Sequence, residues 1–441
     1  MLEHWFKLAE LGTDVRTEVL AGATTFMTMA YIIVVQPTVL QAAGMDFGAV
    51  LVATCLSSAL ATILMAFFAN YPIALAPAMG HNFFFAYTVV LGMKVPWQVA
   101  LGAVFISGSI FVFLSCFGLR EAVIHAVPDS LKQAIAVGIG LLIALVGLEW
   151  SGIVVDAPGT LVGLGNLKNP PVLLALFGIG TISVLLVLGV KGAILWGMGA
   201  STLVGLAAGL IRYQGLVSLP PSLAPTFLQL DIAGAFQLGL VTVIFVFFLL
   251  DLFDTVGTLI GVSQQAGFLK DGTLPRAKGA LLADAMGTVG GGLLGTSTVT
   301  SYIESAAGVA AGGRSGLANI VTAALFLASL FFFPLVRMVG GGHQTPAGTV
   351  LYPVTAPALI LVGSMMVKNV REIPWSDYSE AIPAFLTMIM MPLTFSITEG
   401  IAFGFIAFVF LKIVSRQWHR IPWPLYLFAA LFLVRYVAIR L

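Results

Sequence analysis

Apolar runs long enough to cross a lipid bilayer follow one another along almost the whole of this chain. A helix needs about 20 apolar residues to span a hydrocarbon core about 30 Å thick, and inside that core every backbone polar group must be satisfied within the protein. Of the 441 residues, 59% are hydrophobic and only 9% are charged, with a mean hydropathy of +1.05. The chain therefore reads as an integral membrane protein, counted in spans rather than soluble domains. Its 48 glycines suit close helix–helix approach in lipid. A formal charge of +1 points to neither nucleic acid nor a polyanionic partner. Cys55 and Cys116 lie inside apolar runs and offer neither metal spacing nor a disulfide framework. Residues 1–18 are charged and the first apolar run continues as a full span, so nothing there reads as a cleavable signal.

About fourteen spans can be drawn. With the amino terminus in the cytoplasm, the outer ends collect only Lys94, Lys168, Arg212 and Arg337. The inner ends collect Lys7, Arg16, Arg120, Lys132, Lys191, Lys270, Arg276, Lys278, Arg314, Lys368, Arg371, Lys412, Arg416 and Arg420, which satisfies the positive-inside rule. Residues 421–441 are apolar but interrupted by Arg435, with aromatics crowding their start. They are expected to form a helix lying at the interface, with a fifteenth span as the alternative.

Two spans look too broken to cross alone. Residues 73–80 carry Pro77 and Gly80 before a helical pattern resumes at His81, and residues 296–302 are β-branched and hydroxyl-rich before one starts near Glu304. Each reads as an extended segment feeding a half-helix, a conformation tolerated at this depth only where it is buried in protein or lines a cavity. The breaks and their flanking spans recur at a separation of about 220 residues, the pattern of an inverted repeat with a midplane binding site.

Near these breaks lie the acids. Asp251 and Asp254 stand one helical turn apart at the end of the apolar run 235–250, and Glu304 opens the second half-helix. An ionisable side chain at bilayer depth costs roughly 2.5–3.5 kcal/mol on insertion scales and marks a substrate or proton path. Asp251 and Asp254, three apart, share roughly one helix face, and the half-helix amino ends supply partial positive charge. The hydroxyls of Thr296, Ser297, Thr298, Thr300 and Ser301 add donors and acceptors. Structural alternatives stand beside each reading: Asp251 as a buried acid bonded to hydroxyls, Asp254 as an organiser of the break, Glu304 as a dipole partner, Asn82 as a helix cap. Asp284 is a weaker candidate that reads more readily as a structural polar bridge, Glu399 reads as a solvated or structural residue at an outer loop, and His81 as a satisfied or lipid-side histidine. Phe83, Phe84 and Phe85 are consecutive, so packing is their default. The stretch 290–295 (GGGLLG) lacks a P-loop lysine and reads as a packing segment.

Five segments in fixed order carry a resemblance: 15–31 (VRTEVLAGATTFMTMAY), 74–82 (ALAPAMGHN), 251–261 (DLFDTVGTLIG), 295–305 (GTSTVTSYIES) and 390–400 (MMPLTFSITEG). Through them the chain, from about residue 8 to 415, resembles the AzgA-like purine permeases of the nucleobase transporter superfamily. The resemblance implies an all-α, fourteen-span, uracil-permease-like fold of two inverted seven-span halves, with two short strands in the broken third and tenth spans. It implies a core domain (19–117 and 236–336) and a gate domain (131–211 and 350–414). The implied activity is proton-coupled import of adenine, guanine or hypoxanthine by alternating access at the cell inner (plasma) membrane, with both termini cytoplasmic. Implied substrate-binding positions are Asp251, Glu304, Asn82, Phe83, Thr300 and Ser301, with Asp254 and Glu304 in proton coupling. No cofactor or metal is implied, the proton being the coupling ion, and the lipid bilayer and the purine base are the partners; a homodimer is left open. Ala78, His81 and Phe83 depart from the residues common in that family, which bears on stacking and selectivity. Relatives favouring adenine carry Asn at the Asp251 position.

The residues argue against other classes. An enzyme needs a convergent nucleophile, base or metal set, and five scattered histidines with two isolated cysteines offer none. A channel favours rings of like side chains along a pore. An anion carrier needs cationic or neutral donors where this chain places acids. Two acceptors suit guanine and hypoxanthine over adenine, with uracil poor.

Overall fold

The computed structural model describes residues 2–117, 127–157, 159–236, 241–269, 274–345 and 348–438; Arg120 and Lys270 of the charge argument lie outside the described residues. Among the described residues, eight helices are long and apolar enough to cross a membrane, including Val15–Ala42, Phe47–Phe68, Asp129–Trp150, Val241–Ala266 and Ile397–Val414. Exposed side chains on many of these helices are themselves apolar, as with Leu20, Val187 and Phe410, which is the surface lipid solvates.

Both breaks form strands. β1 (Leu75–Pro77) pairs antiparallel with β2 (Val299–Ser301), Leu75 opposite Ser301 and Pro77 opposite Val299. The pairing extends outward through Ala78 N–H to Thr298 C=O (3.0 Å) and Tyr302 N–H to Ala74 C=O (2.9 Å). Every residue of both strands is buried. A two-stranded sheet in a membrane leaves two edges that must be satisfied by protein, and a threonine satisfies part of each edge. Thr62, on the helix before β1, accepts from Leu75 N–H (3.0 Å) and donates to Leu75 C=O (3.1 Å). Thr288, on the helix before β2, accepts from Val299 N–H (3.2 Å) and donates to Val299 C=O (2.9 Å). After β1 the chain forms a short α-helix, Met79–Phe83, which runs into a π-helix, Phe84–Gly92. After β2 it forms the half-helix Ser305–Ala310.

The other helices pack around this crossing in two sets. Phe47–Phe68 and Trp97–Phe117 pack on Ala277–Leu294, and Val15–Met29 packs on Leu317–Ser329 and Ser305–Ala310. Asp129–Trp150 packs on Ala356–Met366 and on Tyr378–Thr394, which in turn packs on Ile397–Val414. The approach of Asp129–Trp150 to Ala356–Met366 requires glycine, because a Cβ on Gly363 would come within 2.4 Å of Gly140 C=O.

The terminal helix, Trp423–Ala438, packs against a neighbouring helix. It runs antiparallel along Ile397–Val414: Tyr426 OH donates to Trp418 C=O near one end (3.2 Å), Phe428 and Phe432 pack on Phe405 midway, and Tyr436 OH donates to Glu399 at the other. Leu425, Phe428, Ala429 and Phe432 are buried, while the outer face carries Trp423, Leu427, Leu431 and Val434. Glu399, expected at an outer loop as a solvated or structural residue, sits in the first turn of Ile397–Val414 and is part-buried.

Candidate functional site

The strand crossing brings together acids from three segments. Glu304, just ahead of the half-helix Ser305–Ala310, accepts a hydrogen bond from Tyr31 OH (2.6 Å), and Thr28 OH donates to its backbone carbonyl (3.3 Å). Asp254 accepts from Thr300 OH (3.2 Å). Asp251 accepts from Thr288 OH at Oδ2 (3.2 Å). Asp284 accepts from both the N–H (3.0 Å) and the hydroxyl (3.2 Å) of Ser301 at Oδ1. Strand β2 thus serves two acids from adjacent residues, because side chains alternate faces along a strand: Thr300 turns to Asp254 and Ser301 to Asp284.

The amide and aromatic residues lie on the other side of the crossing. Asn82 is fully buried and its Oδ1 accepts from Ser297 OH, while its Nδ2 has no hydrogen-bond partner among the described residues. Gln36 Nε2 donates to Thr296 Oγ1 (2.8 Å) and Ser297 Oγ (3.1 Å), tying the helix Ile32–Ala42 to the approach to β2. Phe83 is fully buried and stacks on Tyr87 at 5.7 Å and 19°, one turn on, and Trp150 Nε1–H donates to Tyr87 OH (2.9 Å). His81 is buried, its two ring nitrogens lacking a partner among the described residues.

Access to the crossing is one-sided. On the helix Val241–Ala266, Asp254, Gly257, Gly261, Gln264 and Gln265 are all exposed and fall on one face within about 100° at 3.6 residues per turn. The same face is closed above Asp254, where Leu250 is 3% exposed and Phe247 is fully buried. An aspartate and two glutamines on a membrane helix face water or protein rather than lipid, so this stripe lines a water-accessible path from Asp254 to the Ala266 end. Glu304 is partly exposed, whereas Asp251 and Asp284 are fully enclosed. On the far side, Thr88 OH donates to Phe395 C=O (3.3 Å), joining the π-helix to the turn after Tyr378–Thr394.

The residues expected in the site therefore gather, but not on one surface. Asp254, Thr300 and Glu304 meet the open path; Asn82 and Phe83 are buried beside it; Ser301 is committed to Asp284. Asp251, expected to contact substrate, is shut behind the strands. Sequence reasoning missed Tyr31, Thr288, Gln36 and Tyr87. Tyr31 ends the first segment of the family resemblance, and its position at the end of an apolar helix was the one available signal. Thr288 carries none, since a threonine in an apolar helix usually bonds its own backbone.

Comparison with known proteins places this architecture. The model of the permease family Xan_ur_permease matches residues 16–415. The adenine permease AdeP of Escherichia coli is 46% identical over 440 residues, covering 100% of this chain and 96% of that protein. The guanine/hypoxanthine permease PbuG of Bacillus subtilis is 46% identical over 448 residues, covering 98% and 99%. Among solved structures, the transmembrane domain of the cyanobacterial bicarbonate transporter BicA superposes with a TM-score of 0.62 at 14% identity, covering 89% of this chain and 97% of that one, a likeness of fold alone. With a family model spanning nearly its full length and adenine and guanine/hypoxanthine permeases among its close homologues, the chain belongs to this permease family, an integral membrane transporter and not an enzyme.

Proposed function

We propose that the protein imports purine bases together with protons across the plasma membrane, taking guanine and hypoxanthine in preference to adenine, by alternating access of a core domain against a gate domain. The observation that carries this reading is the pair of accessible carboxylates, Asp254 and Glu304, at the crossing of β1 and β2. Guanine presents N1–H and an exocyclic amine side by side, two donors that a carboxylate accepts as a bidentate, charge-assisted pair. Hypoxanthine keeps N1–H. Adenine presents an acceptor there, which faces carboxylate lone pairs, and unmatched polar groups in such a site cost orders of magnitude in specificity. Overall similarity does not choose between the bases, since AdeP and PbuG are equally identical to this chain. The bicarbonate transporter shares the fold, but a cluster of acids repels an anion.

The fourteen-span, inverted-repeat architecture is supported by the mirrored roles of Thr62 and Thr288, which each satisfy part of one strand edge from equivalent preceding helices. Alternating access is supported by the path that opens from Asp254 toward the Ala266 end only; the lysine and arginine distribution makes that end cytoplasmic. The test is uptake of labelled guanine into cells lacking endogenous purine uptake, competed with hypoxanthine, adenine, uracil and bicarbonate, with and without a protonophore. Saturable guanine uptake, blocked by hypoxanthine and collapsed by the protonophore, is expected. Uptake of adenine with indifference to guanine, or of bicarbonate without base uptake, refutes the reading.

A further inference from the structure

The open path from Asp254 runs to the Ala266 end of its helix, and a cavity of about 250 Å³ lies at the other end. Tyr87 lines it toward the crossing, since that ring stacks on Phe83. Thr242, Ser396, Thr398 and Glu399 line it from the starts of Val241–Ala266 and Ile397–Val414. Its rim, at Gly92, Met93 and Thr394, is exposed and adjoins Lys94 of the outer face. Thr242 stands twelve residues before Asp254, about 18 Å along the helix at 1.5 Å per residue, so the cavity is separate from the acids of the crossing. The stack of Phe83 on Tyr87 and the bond from Thr88 OH to Phe395 C=O lie between the two.

Three groups equip this cavity for a ligand. Thr398 is 3% exposed, and its hydroxyl has no hydrogen-bond partner among the described residues. Standing in the first turn of Ile397–Val414, it has no carbonyl one turn back in its own helix to bond. A buried hydroxyl left unpaired is costly, and a ligand that gives or takes a hydrogen bond there removes the cost. Glu399 Oε2 accepts from Tyr436 OH, and Glu399 N–H donates to Ser396 Oγ (3.3 Å). The carboxylate is therefore fixed in the wall, and a carboxylate accepts more than one donor. Tyr87 is locked by Phe83 on one face and by Trp150 Nε1–H on its hydroxyl, which makes it a rigid aromatic surface.

Building on the reading of the chain as a purine carrier, we propose that this cavity is a second base site on the outer side. There an incoming base packs on Tyr87, donates N–H to Glu399 and pairs with Thr398 OH before it reaches the crossing. The ligand class follows from the lining. An aromatic surface takes a flat ring, and a fixed carboxylate takes N–H donors and repels an anion. At about 250 Å³ the cavity falls below the roughly 300–1,000 Å³ of sites for drug-sized ligands, which suits a free base and leaves no room for the sugar of a nucleoside.

Equilibrium binding of labelled guanine to the purified full chain counts the sites. The wild type is expected to bind two equivalents, one tighter than the other, with guanosine failing to displace the weaker. Glu304→Gln should remove the tighter equivalent and leave the weaker. In that background Glu399→Gln, which turns an amide N–H toward the donors of guanine, and Thr398→Val should each weaken what remains about tenfold or more. Valine matches the shape of threonine and breaks no hydrogen bond at Thr398, so an unchanged melting temperature shows that this variant folds whatever Glu399→Gln does to the contact with Tyr436. With Glu304 intact, Thr398→Val should slow uptake from low external guanine about tenfold while the tighter equivalent keeps its affinity. A single wild-type equivalent that Glu304→Gln abolishes overturns the second site and leaves the purine reading standing. Two equivalents that both ignore Thr398→Val and Glu399→Gln overturn the assignment to this cavity. A wild type that binds no guanine overturns the purine reading and the second site with it.

Discussion

Tyr31→Phe isolates one hydrogen bond at the site. Tyr31 is 1% exposed and its hydroxyl donates to Glu304 Oε1 at 2.6 Å. Phenylalanine fills the same volume, so no cavity arises and the helix Val15–Met29 keeps its packing. A hydrogen bond to a charged group is worth about 1.5–3 kcal/mol net. Glu304 is partly exposed, so water replaces some of what the phenol supplied and the lower end applies. About 1.5 kcal/mol corresponds to about a tenfold loss of affinity if the phenol fixes the carboxylate in the geometry the base needs. Equilibrium binding of labelled guanine to purified protein reads this directly, with initial uptake rates alongside. Glu304→Gln turns an amide N–H toward the donors of guanine and is expected to cost at least about 100-fold. In that background Tyr31→Phe should add little, since the two residues act as one unit. Guanine affinity within about twofold of wild type in Tyr31→Phe alone would refute the idea that Tyr31 positions Glu304.

Three further outcomes are expected. Lys412 is 1% exposed and bonded to Glu380 (2.7 Å) and Ser379 OH (2.7 Å), so Lys412→Met should destabilise the protein by about 3 kcal/mol, the lower end for a broken buried pair because Glu380 keeps Ser130 OH; thermal unfolding in detergent measures it. Beside that pair, Asp377 is held below the usual carboxylate range by the hydroxyl and N–H of Ser379 and by Lys412. A lowered folded-state pKa gives stability that is complete above the unfolded value of about 3.9 and is lost as pH falls through the folded one, so the melting temperature should hold from pH 7 to about 5 and fall below about 4. Finally, the antiparallel packing of Trp423–Ala438 on Ile397–Val414 favours the alternative of a fifteenth span over a helix lying flat. In a chain with Cys55 and Cys116 replaced, a membrane-impermeant maleimide on intact cells should label Leu441→Cys but not Trp423→Cys, whereas protection of both would place the helix flat on the cytoplasmic face.

What the sequence made legible was whatever depends on local chemistry. Pro77 and Gly80 in one span, and the β-branched, hydroxyl-rich 296–302 in another, cannot continue a helix, and both became strands. Acids in apolar runs marked the site because their cost there is high wherever neighbours lie. The π-helix Phe84–Gly92 was not legible, since its residues are those of an ordinary apolar helix and its wider turn answers to packing and function. The packing of the terminal helix was not legible either, since the aromatic row it forms with Phe405 and Phe245 is tertiary.

The acids show where such reading stops. Residues three apart on an α-helix point about 60° from one another at 3.6 residues per turn, close enough to be read as one face. In the fold that angle separates two environments. Asp254 turns to Thr300 and to the open path, and Asp251 turns to Thr288 on the helix Ala277–Leu294. The chemistry of a carboxyl group follows from its neighbours: beside water and a base donor it is an acceptor, and enclosed against a helix hydroxyl it is part of the packing. Spacing fixes only the angle between the two aspartates. The direction of that angle relative to Asp284 is set by how Val241–Ala266 is rotated against the strands, and that rotation is fixed by contacts such as Phe84 on Phe247 at 4.7 Å and Phe111 on Phe248 at 5.9 Å. A substitution in that aromatic layer, which touches neither acid, would therefore be expected to weaken base affinity by turning Asp254 away from Thr300 and the open path.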